Sequence, residues 1–471
     1  MVAAMFTAFQ AAPYVMAVAL GLLVPLLGVI CYANFAAGLA VIVSMFAVEA
    51  VSVNVGGLQL GVSIYYTDFV LVFIAVIGAL RLLTSNEVPR RHWAWNLYLL
   101  AFAVSLFAGL ITYGSGAGVQ SRGYFYSLAA GSYALSFTVN EGRFKNLVNA
   151  LGLLALLMVC LCIYRWIVYY TPIRELLPEG GTYNIDGPIR VIKSHETLVL
   201  GQLLVVGLFF AALSRTAAVA RVFSPVLLAA VVTLQHRSVW LAVIVGVMAS
   251  MFVVRSKTGS RLMQALLVTL IVFATAVPLV FSEKLGGVGA EVKGSATTAI
   301  EGSGTVSERA DNWQSLLRLW VDGGPRSIVL GQSFGSDSTR YVRDQTNGGE
   351  RKIQYYAHNH YVQTVYNMGL VGLVAFLCAL AYAVRGLYQI CASGKGSASA
   401  EALLVLLIMQ AVYYVPYGTD YLQTVILGMA VAFVATHQKT AALAAVAATT
   451  AATAASAIKP AMVRTGKGAA P

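Results

Sequence analysis

The sequence predicts an all-α polytopic membrane protein, with about 12 or 13 transmembrane helices and one large outer loop that contains short helices. Three observations carry this expectation. Of 471 residues, 59% are hydrophobic and only 11% are charged, against roughly 25% charged in a soluble domain. Apolar stretches of roughly 17–25 residues, the length that crosses the hydrocarbon core, recur along most of the chain. The basic residues collect in alternate short loops, as cytoplasmic loops of membrane proteins do.

The spans fall, in order, near 13–31, 34–51, 67–83, 94–113, 121–139, 146–169, 196–213, 222–236, 238–254 and 262–281. After a long polar interval they resume near 360–386, 402–417 and 421–437. Residues 1–281 therefore read as an N-terminal set of transmembrane helices with an outer loop at 170–195. Residues 282–359 form the large outer loop, 360–437 the C-terminal transmembrane helices, and 438–471 an Ala-rich, low-complexity cytoplasmic tail. Arg90, Arg91, Arg143, Arg215, Arg255 and Lys257 lie in the loops assigned to the cytoplasm, and these loops with the tail hold about half of the 31 Lys and Arg. The net charge of +12 is thus mostly topology, and no nucleic-acid partner is implied. Residues 1–12 carry no charge, so the side on which the chain starts depends on whether 13–31 and 34–51 both span or one is re-entrant. No basic n-region precedes the first span, which argues against a cleaved signal peptide. The five cysteines lie in spans or beside a cytoplasmic loop; neither a disulfide framework nor a zinc spacing is suggested.

The large outer loop is nearly neutral and holds over a third of the charged residues. Its first part, "GGVGAEVKGSATTAIEGSGTVSE", reads as flexible. In "TVSERADNWQSLLRLW", Thr305 and Glu308 fit a capping box. Trp313, Leu316, Leu317 and Trp320 make an amphipathic stripe that suits a helix resting on the membrane surface. "VLGQSFGSD" is a Gly-punctuated turn, and a basic stretch leads from it to "YYAHNHYVQTVYNMGLVGLVAF". No Walker loop, nucleophile elbow or zinc-protease motif is present, and no internal repeat is visible.

The chemistry-bearing residues gather where this loop enters the next span. A histidine in "AHNHY" can titrate near its ordinary range while the membrane wall beside it excludes bulk water. Asn359, Gln363 and Tyr366 follow at helical spacing, and His360 aligns with Gln363 and Asn367, so a polar stripe runs down an otherwise apolar helix. Such stripes face a cavity or a neighbouring helix, and interhelical hydrogen bonding would call for the same residues. Arg237, in "TLQHRSVWL", occupies a tight outer turn. Arg190, in "GPIRVIKSHETL", precedes another span on the same side. Guanidinium groups grip phosphate oxygens bidentately, so a diphosphate substrate at this face would need such a pair; headgroup anchoring and snorkelling are the plainer uses. His195, Glu196 and His236 read as supporting groups, and Glu49, Asp68 and Asp420 as interface or packing residues.

"SERADNWQSLLRLW", "LGQSFGSD" and "AHNHYVQTVYNMGLVGLVAFL", in that order, resemble the signature of the O-antigen ligase and polymerase superfamily. "LQHRSVWLAV" is similar to the family's Ser-Arg turn between two spans, with His236 before the arginine and Ser238 after it. "IRVIKSHETLVLGQLL" is similar to its outer-loop arginine preceding a helix. The resemblance covers about 190–377. It implies a membrane glycosyltransferase that uses an undecaprenyl-diphosphate-linked glycan at the periplasmic face of the bacterial inner membrane. It further implies His358 as catalytic base, Arg190 and Arg237 as diphosphate ligands, and Arg309, Asn359, His360 and Gln363 in support. The reaction would be inverting, with no metal and no cofactor required. The acceptor would be a lipid A-core, for a ligase, or a second lipid-linked glycan, for a polymerase. Membrane lipids and a polysaccharide-assembly complex are the further partners expected. A polysaccharide flippase and a non-enzymatic export scaffold are the competing classes.

Overall fold

The computed structural model describes residues 23–51, 58–59, 63–85, 87, 92–171, 190–253, 305–343, 350–354, 356–393 and 397–464. The expected span at 262–281, the flexible part of the outer loop, most of the 170–195 loop and the start of the first span lie outside these residues.

Helices α1 (Leu23–Ala33) and α2 (Phe35–Val51) meet at a 119° bend. Asn34 sits at the bend and its side-chain oxygen accepts the Ala36 N–H at 2.9 Å. Then follow α3 (Tyr66–Thr84), α4 (Trp93–Tyr113), α5 (Ser115–Leu135), α6 (Glu141–Tyr170) and α7 (Ser194–Phe210). Helices α8 (Arg215–Val222) and α9 (Ser224–Thr233) form one broken apolar unit bent by 66°, with Pro225 in the first turn of α9. Next are α10 (Arg237–Val253), α11 (Thr305–Asp322), α12 (Gly324–Leu330), α13 (His360–Ala392), α14 (Ala398–Tyr413) and α15 (Tyr421–Arg464). Among the described residues six helices are long and apolar enough to cross a membrane, or up to eight if each bent pair is one span. The architecture is the all-α, polytopic membrane bundle that composition and periodicity predict. It adds two small antiparallel hairpins, β1 (Leu58–Gln59) with β2 (Ser63–Ile64), and β3 (Arg340–Arg343) with β4 (Glu350–Ile353).

Helix α5 is the centre of the bundle although its Ser and Gly content makes it less apolar than its neighbours. Residues Ser127 to Leu135 are all buried, with α3 and α15 packed along it. A side chain at Gly428 of α15 would stand 2.2 Å from the Gly131 carbonyl oxygen, so the two backbones touch. Close approach of small residues is the usual way to pack helices where lipid removes the hydrophobic driving force. The buried Trp95 indole finds its acceptor at Ser132, 3.0 Å away.

Helix α13 breaks at Gly369, whose φ of +65° is open to glycine and strained for other residues. The break frees carbonyls that hydrocarbon cannot hydrate. The Gly-rich turn after α12 supplies the donors: Gln332 N–H reaches the Tyr366 carbonyl at 2.8 Å, and Ser333 N–H reaches that of Asn367 at 3.2 Å. Ser105 of α4 adds a hydroxyl to the Asn367 carbonyl at 2.7 Å. "LGQSFGSD" and "YNMGL" are therefore two halves of one junction.

One expectation changes, and one helix runs past its expected span. Helix α11 rests on protein and not on the membrane surface: Leu316 is fully buried with Ala357 and Tyr366, and Trp313 and Trp320 pack against them. Both indoles spend their N–H on backbone carbonyls, Ala357 and Ser327, which explains why tryptophans occupy this face. The Ala-rich tail continues α15 as a helix to Arg464, exposed along the described part of 438–453, because alanine favours helix even without a core to bury it.

Replacing Gly369 by Ala is expected to destabilise the bundle by on the order of 2 kcal/mol, since a Cβ there would lie 2.2 Å from the Val329 carbonyl oxygen. The measurement is the temperature at which the detergent-solubilised protein loses its monodisperse peak; an unchanged temperature would remove the break from the list of constraints.

Candidate functional site

The N-terminus of α13 is built by its own polar stripe. Asn359 is the N-cap and its side-chain oxygen accepts the Val362 N–H at 3.0 Å. Gln363, one turn on, reaches back to accept the Ala357 N–H at 3.1 Å, and the Ala357 carbonyl takes the Trp313 indole N–H at 2.8 Å. The His360 N–H is shared between the carbonyls of Tyr414 and Tyr417, at 2.9 and 3.0 Å. Held on both sides, His358 takes a φ of +50°, an uncommon conformation for a residue with a side chain. Its ring lies 5.8 Å from that of Tyr417 and 6.5 Å from that of Tyr356. His360 differs sharply. It is buried among Phe376, Tyr124 and Tyr414, with ring centroids 4.7, 5.3 and 5.6 Å away, and neither ring nitrogen has a hydrogen-bond partner.

A second wall comes from the non-helical segment before α7 and the turn before α10. The His236 ring nitrogen Nε2 donates to the Ile192 carbonyl at 2.9 Å, and the Ser194 and Ser238 hydroxyls pair at 3.1 Å. Arg190 donates to the Gln235 carbonyl at 3.4 Å. From α11, Arg309 donates to the Pro416 carbonyl and the Tyr417 hydroxyl, both at 3.4 Å, with its guanidinium 4.9 Å from the Tyr417 ring centroid. Arg190 and Arg309 both lie close enough to Arg237 to repel it electrostatically. Arg309 and Arg340 act in the same way on His358. The two predicted arginines and the predicted histidine are therefore linked through Arg309.

Between the walls is a cavity of about 490 Å³, lined among others by Lys193, His195, His358, His360, Tyr417 and Asp420. Each of the three arginines neighbours a lining residue and does not itself line the cavity. Arg309 lies on Tyr417, Arg190 bonds the carbonyl next to His236, and Arg237 follows His236 in the chain. Burial, then the positive charges of Arg309 and Arg340, push the His358 imidazole below its ordinary value of 6.5, so it is neutral and able to accept a proton at neutral pH. Asp420 caps α15, accepting the Gln423 N–H at 3.0 Å. Burial lifts its carboxyl to about 7 against the pull of the Gln423 and Leu422 amides, and the charges of Glu49 and Glu196 add to the rise. The cavity can thus hold a neutral imidazole, a carboxyl near half-protonation and permanent cations around one ligand. No group of His, Cys, Asp and Glu among the described residues could hold a metal ion.

Residues 222–377 match the family model described as O-antigen ligase. The match supports the O-antigen ligase and polymerase superfamily to which the ordered motifs point, and with it a glycosyltransferase-type activity. The ligase-like segment runs from the end of α8 through the break in α13, and so contains Arg237, Arg309, His358, Asn359, His360 and Gln363. Arg190 lies before it, and the fold brings it in. No curated protein matches the chain significantly. Sequence reasoning passed over Lys193, Tyr417 and Asp420 as cavity residues. Asp420 has only the signature of a helix cap, and nothing in the local pattern marks the other two.

Substituting Asn359 by Ala removes the cap that sets the His358 backbone and is expected to cost about 1 kcal/mol, read as a lowered unfolding temperature. Asn359→Asp, which keeps the acceptor oxygen, should retain most of the stability.

Proposed function

We propose that this chain is a membrane glycosyltransferase that moves an undecaprenyl-diphosphate-linked glycan onto an acceptor sugar hydroxyl at the periplasmic face of the bacterial inner membrane. The observation that carries the proposal is the joining of His358 to Arg237 and Arg190 through Arg309 beside one cavity. A base next to a cluster of guanidinium groups suits a reaction in which a proton leaves one partner while negative charge builds on the other.

In the proposed reaction a ring nitrogen of His358 takes the proton of the acceptor hydroxyl. The oxygen attacks the anomeric carbon of the donor glycan, and the bond from that carbon to the diphosphate oxygen breaks with its electron pair. A single displacement inverts the anomeric centre. Arg190 and Arg237 hold the diphosphate electrostatically from beside the cavity lining, and the charge that develops on it is stabilised more than the ground state is. Lipid diphosphate is a good leaving group, so the step as written calls for no divalent ion. Arg309 lies between the base and the other arginines and stacks on Tyr417. In that position it adds to burial in favouring the neutral imidazole while contributing to the field on the phosphates. Ligation to lipid A-core and polymerisation on the carrier lipid use the same chemistry and differ in the acceptor alone.

Reconstitution with lipid-linked glycan tests the reading. His358→Ala should abolish transfer while donor binding stays within about threefold of wild type; full transfer by a folded variant overturns the base. Longer chains on the carrier lipid would identify a polymerase, and transfer to added lipid A-core a ligase.

The pH profile is a separate test. The base works in its neutral form, so kcat/KM should rise with pH and level off, with the inflection below the ordinary histidine value of 6.5. Arg309→Gln removes one cation that favours the neutral ring, and the inflection should move up. A profile that does not shift would separate Arg309 from the titrating group.

A further inference from the structure

The four residues Arg190 to Lys193 form a short non-helical segment with no ladder of its own, yet its backbone is held at three consecutive positions by side chains from three other parts of the chain. Arg165, buried within α6, donates to the Val191 carbonyl at 2.6 Å and to the Ala50 carbonyl at 3.0 Å. His236 bonds the Ile192 carbonyl at 2.9 Å. Glu196, itself 2% exposed, accepts the Lys193 N–H at 2.8 Å. A charged side chain inside a membrane helix is costly. Arg165 meets that cost by gripping backbone, which marks the position of this segment as worth holding.

Val191 and Ile192 turn inward and are fully buried, which leaves the two long cationic side chains at the ends. Arg190 turns toward Gln235. Lys193 lines the 490 Å³ cavity that His358 also lines. Its backbone carbonyl is used by the Thr197 amide and hydroxyl, both at 3.0 Å, and it takes part in none of the ion pairs formed among the described residues. The Lys193 charge acts on Glu196 and His195 beside it, while the Glu196 carboxylate also accepts the Lys193 N–H and approaches His195 at 3.9 Å. The arginines shape the field from positions next to the cavity lining, whereas Lys193 is the one Lys or Arg among the described lining residues.

We propose that Lys193 is a further substrate-binding residue whose ammonium contacts the diphosphate of the donor inside the cavity, presented by the clip of Arg165, His236 and Glu196. This rests on the diphosphate-donor reading above and adds the contact that the arginines leave open. An ammonium is a compact point charge with three donors; it can follow a phosphate oxygen as charge moves onto it, where a planar guanidinium fixed by backbone contacts cannot.

The test is binding of farnesyl diphosphate to the purified full-length protein in detergent, with farnesol as the uncharged control. Wild type should prefer the diphosphate. Lys193→Gln should weaken diphosphate binding by about tenfold or more, as loss of a charge-assisted contact does, and leave the weak farnesol binding as it was. Lys193→Arg should restore most of the loss. Lys193→Met, which keeps the aliphatic stem, serves in place of K193Q if that variant has a lowered unfolding temperature. Equal diphosphate binding by wild type and the uncharged variant overturns the role of Lys193. Failure of wild type itself to prefer diphosphate over alcohol would instead overturn the donor reading on which it rests.

Discussion

Hydrocarbon offers no hydrogen bonds, so wherever a helix in this bundle starts or breaks inside the protein, another part of the chain must supply the missing partner. Most of the site follows from meeting that requirement. The break in α13 at Gly369 releases two carbonyls, and the turn after α12 is drawn onto them. The start of α13 leaves the His360 amide, and the Tyr414 and Tyr417 carbonyls of the following turn come to it. The non-helical segment before α7 has no ladder, and Arg165, His236 and Glu196 close on it. Each repair ties together elements far apart in sequence, and the cavity is the space left between the ties.

Electrostatics then gives that space its character. Arg190, Arg237, Arg309 and Lys193 are gathered around one cavity, and like charges so gathered repel. Part of the repulsion is offset by neutral partners: the Tyr417 ring beneath Arg309, and carbonyls at Gln235 and Pro416. The carboxyl that lines the cavity, Asp420, accepts the Gln423 amide at 3.0 Å; behind it Glu49 takes the hydroxyls of Thr67 and Tyr421 at 2.6 Å each, and Glu196 a backbone amide. In the proposed reaction such a cluster suits a multiply charged anion, and the neutral His358 beside it suits an acceptor that gives up a proton.

The stripe in "AHNHYVQTVYN" shows how far pattern reading reaches. Helical spacing correctly places Asn359, Gln363, Tyr366 and Asn367 on one face, but assigns them one role. In the fold they divide: Asn359 caps, Gln363 braces Ala357, Tyr366 bonds the Asp337 carbonyl at 2.9 Å, and Asn367 offers its carbonyl to Ser105 and Ser333. His358 and His360 are two residues apart and have opposite surroundings, one half-exposed beside Tyr417, the other sealed in an aromatic box. The tryptophan stripe of α11 was legible as amphipathic, yet its apolar face is met by protein and not by lipid, since periodicity reports that a face is buried and not what buries it.

Composition, span length and the alternation of basic loops determined by themselves that this chain is a helical membrane protein, because the cost of unpaired polar groups in lipid leaves few other solutions. The ordered motifs singled out one histidine and a set of arginines, of which Arg237, Arg309 and His358 lie within the matched segment 222–377. Tertiary structure alone decided that Arg309 is the link between His358 and the paired arginines, and that Lys193 and Asp420 face the same cavity. Those facts depend on which carbonyl each broken helix end has to satisfy, and that choice is made by packing across the bundle, beyond the range of any local pattern.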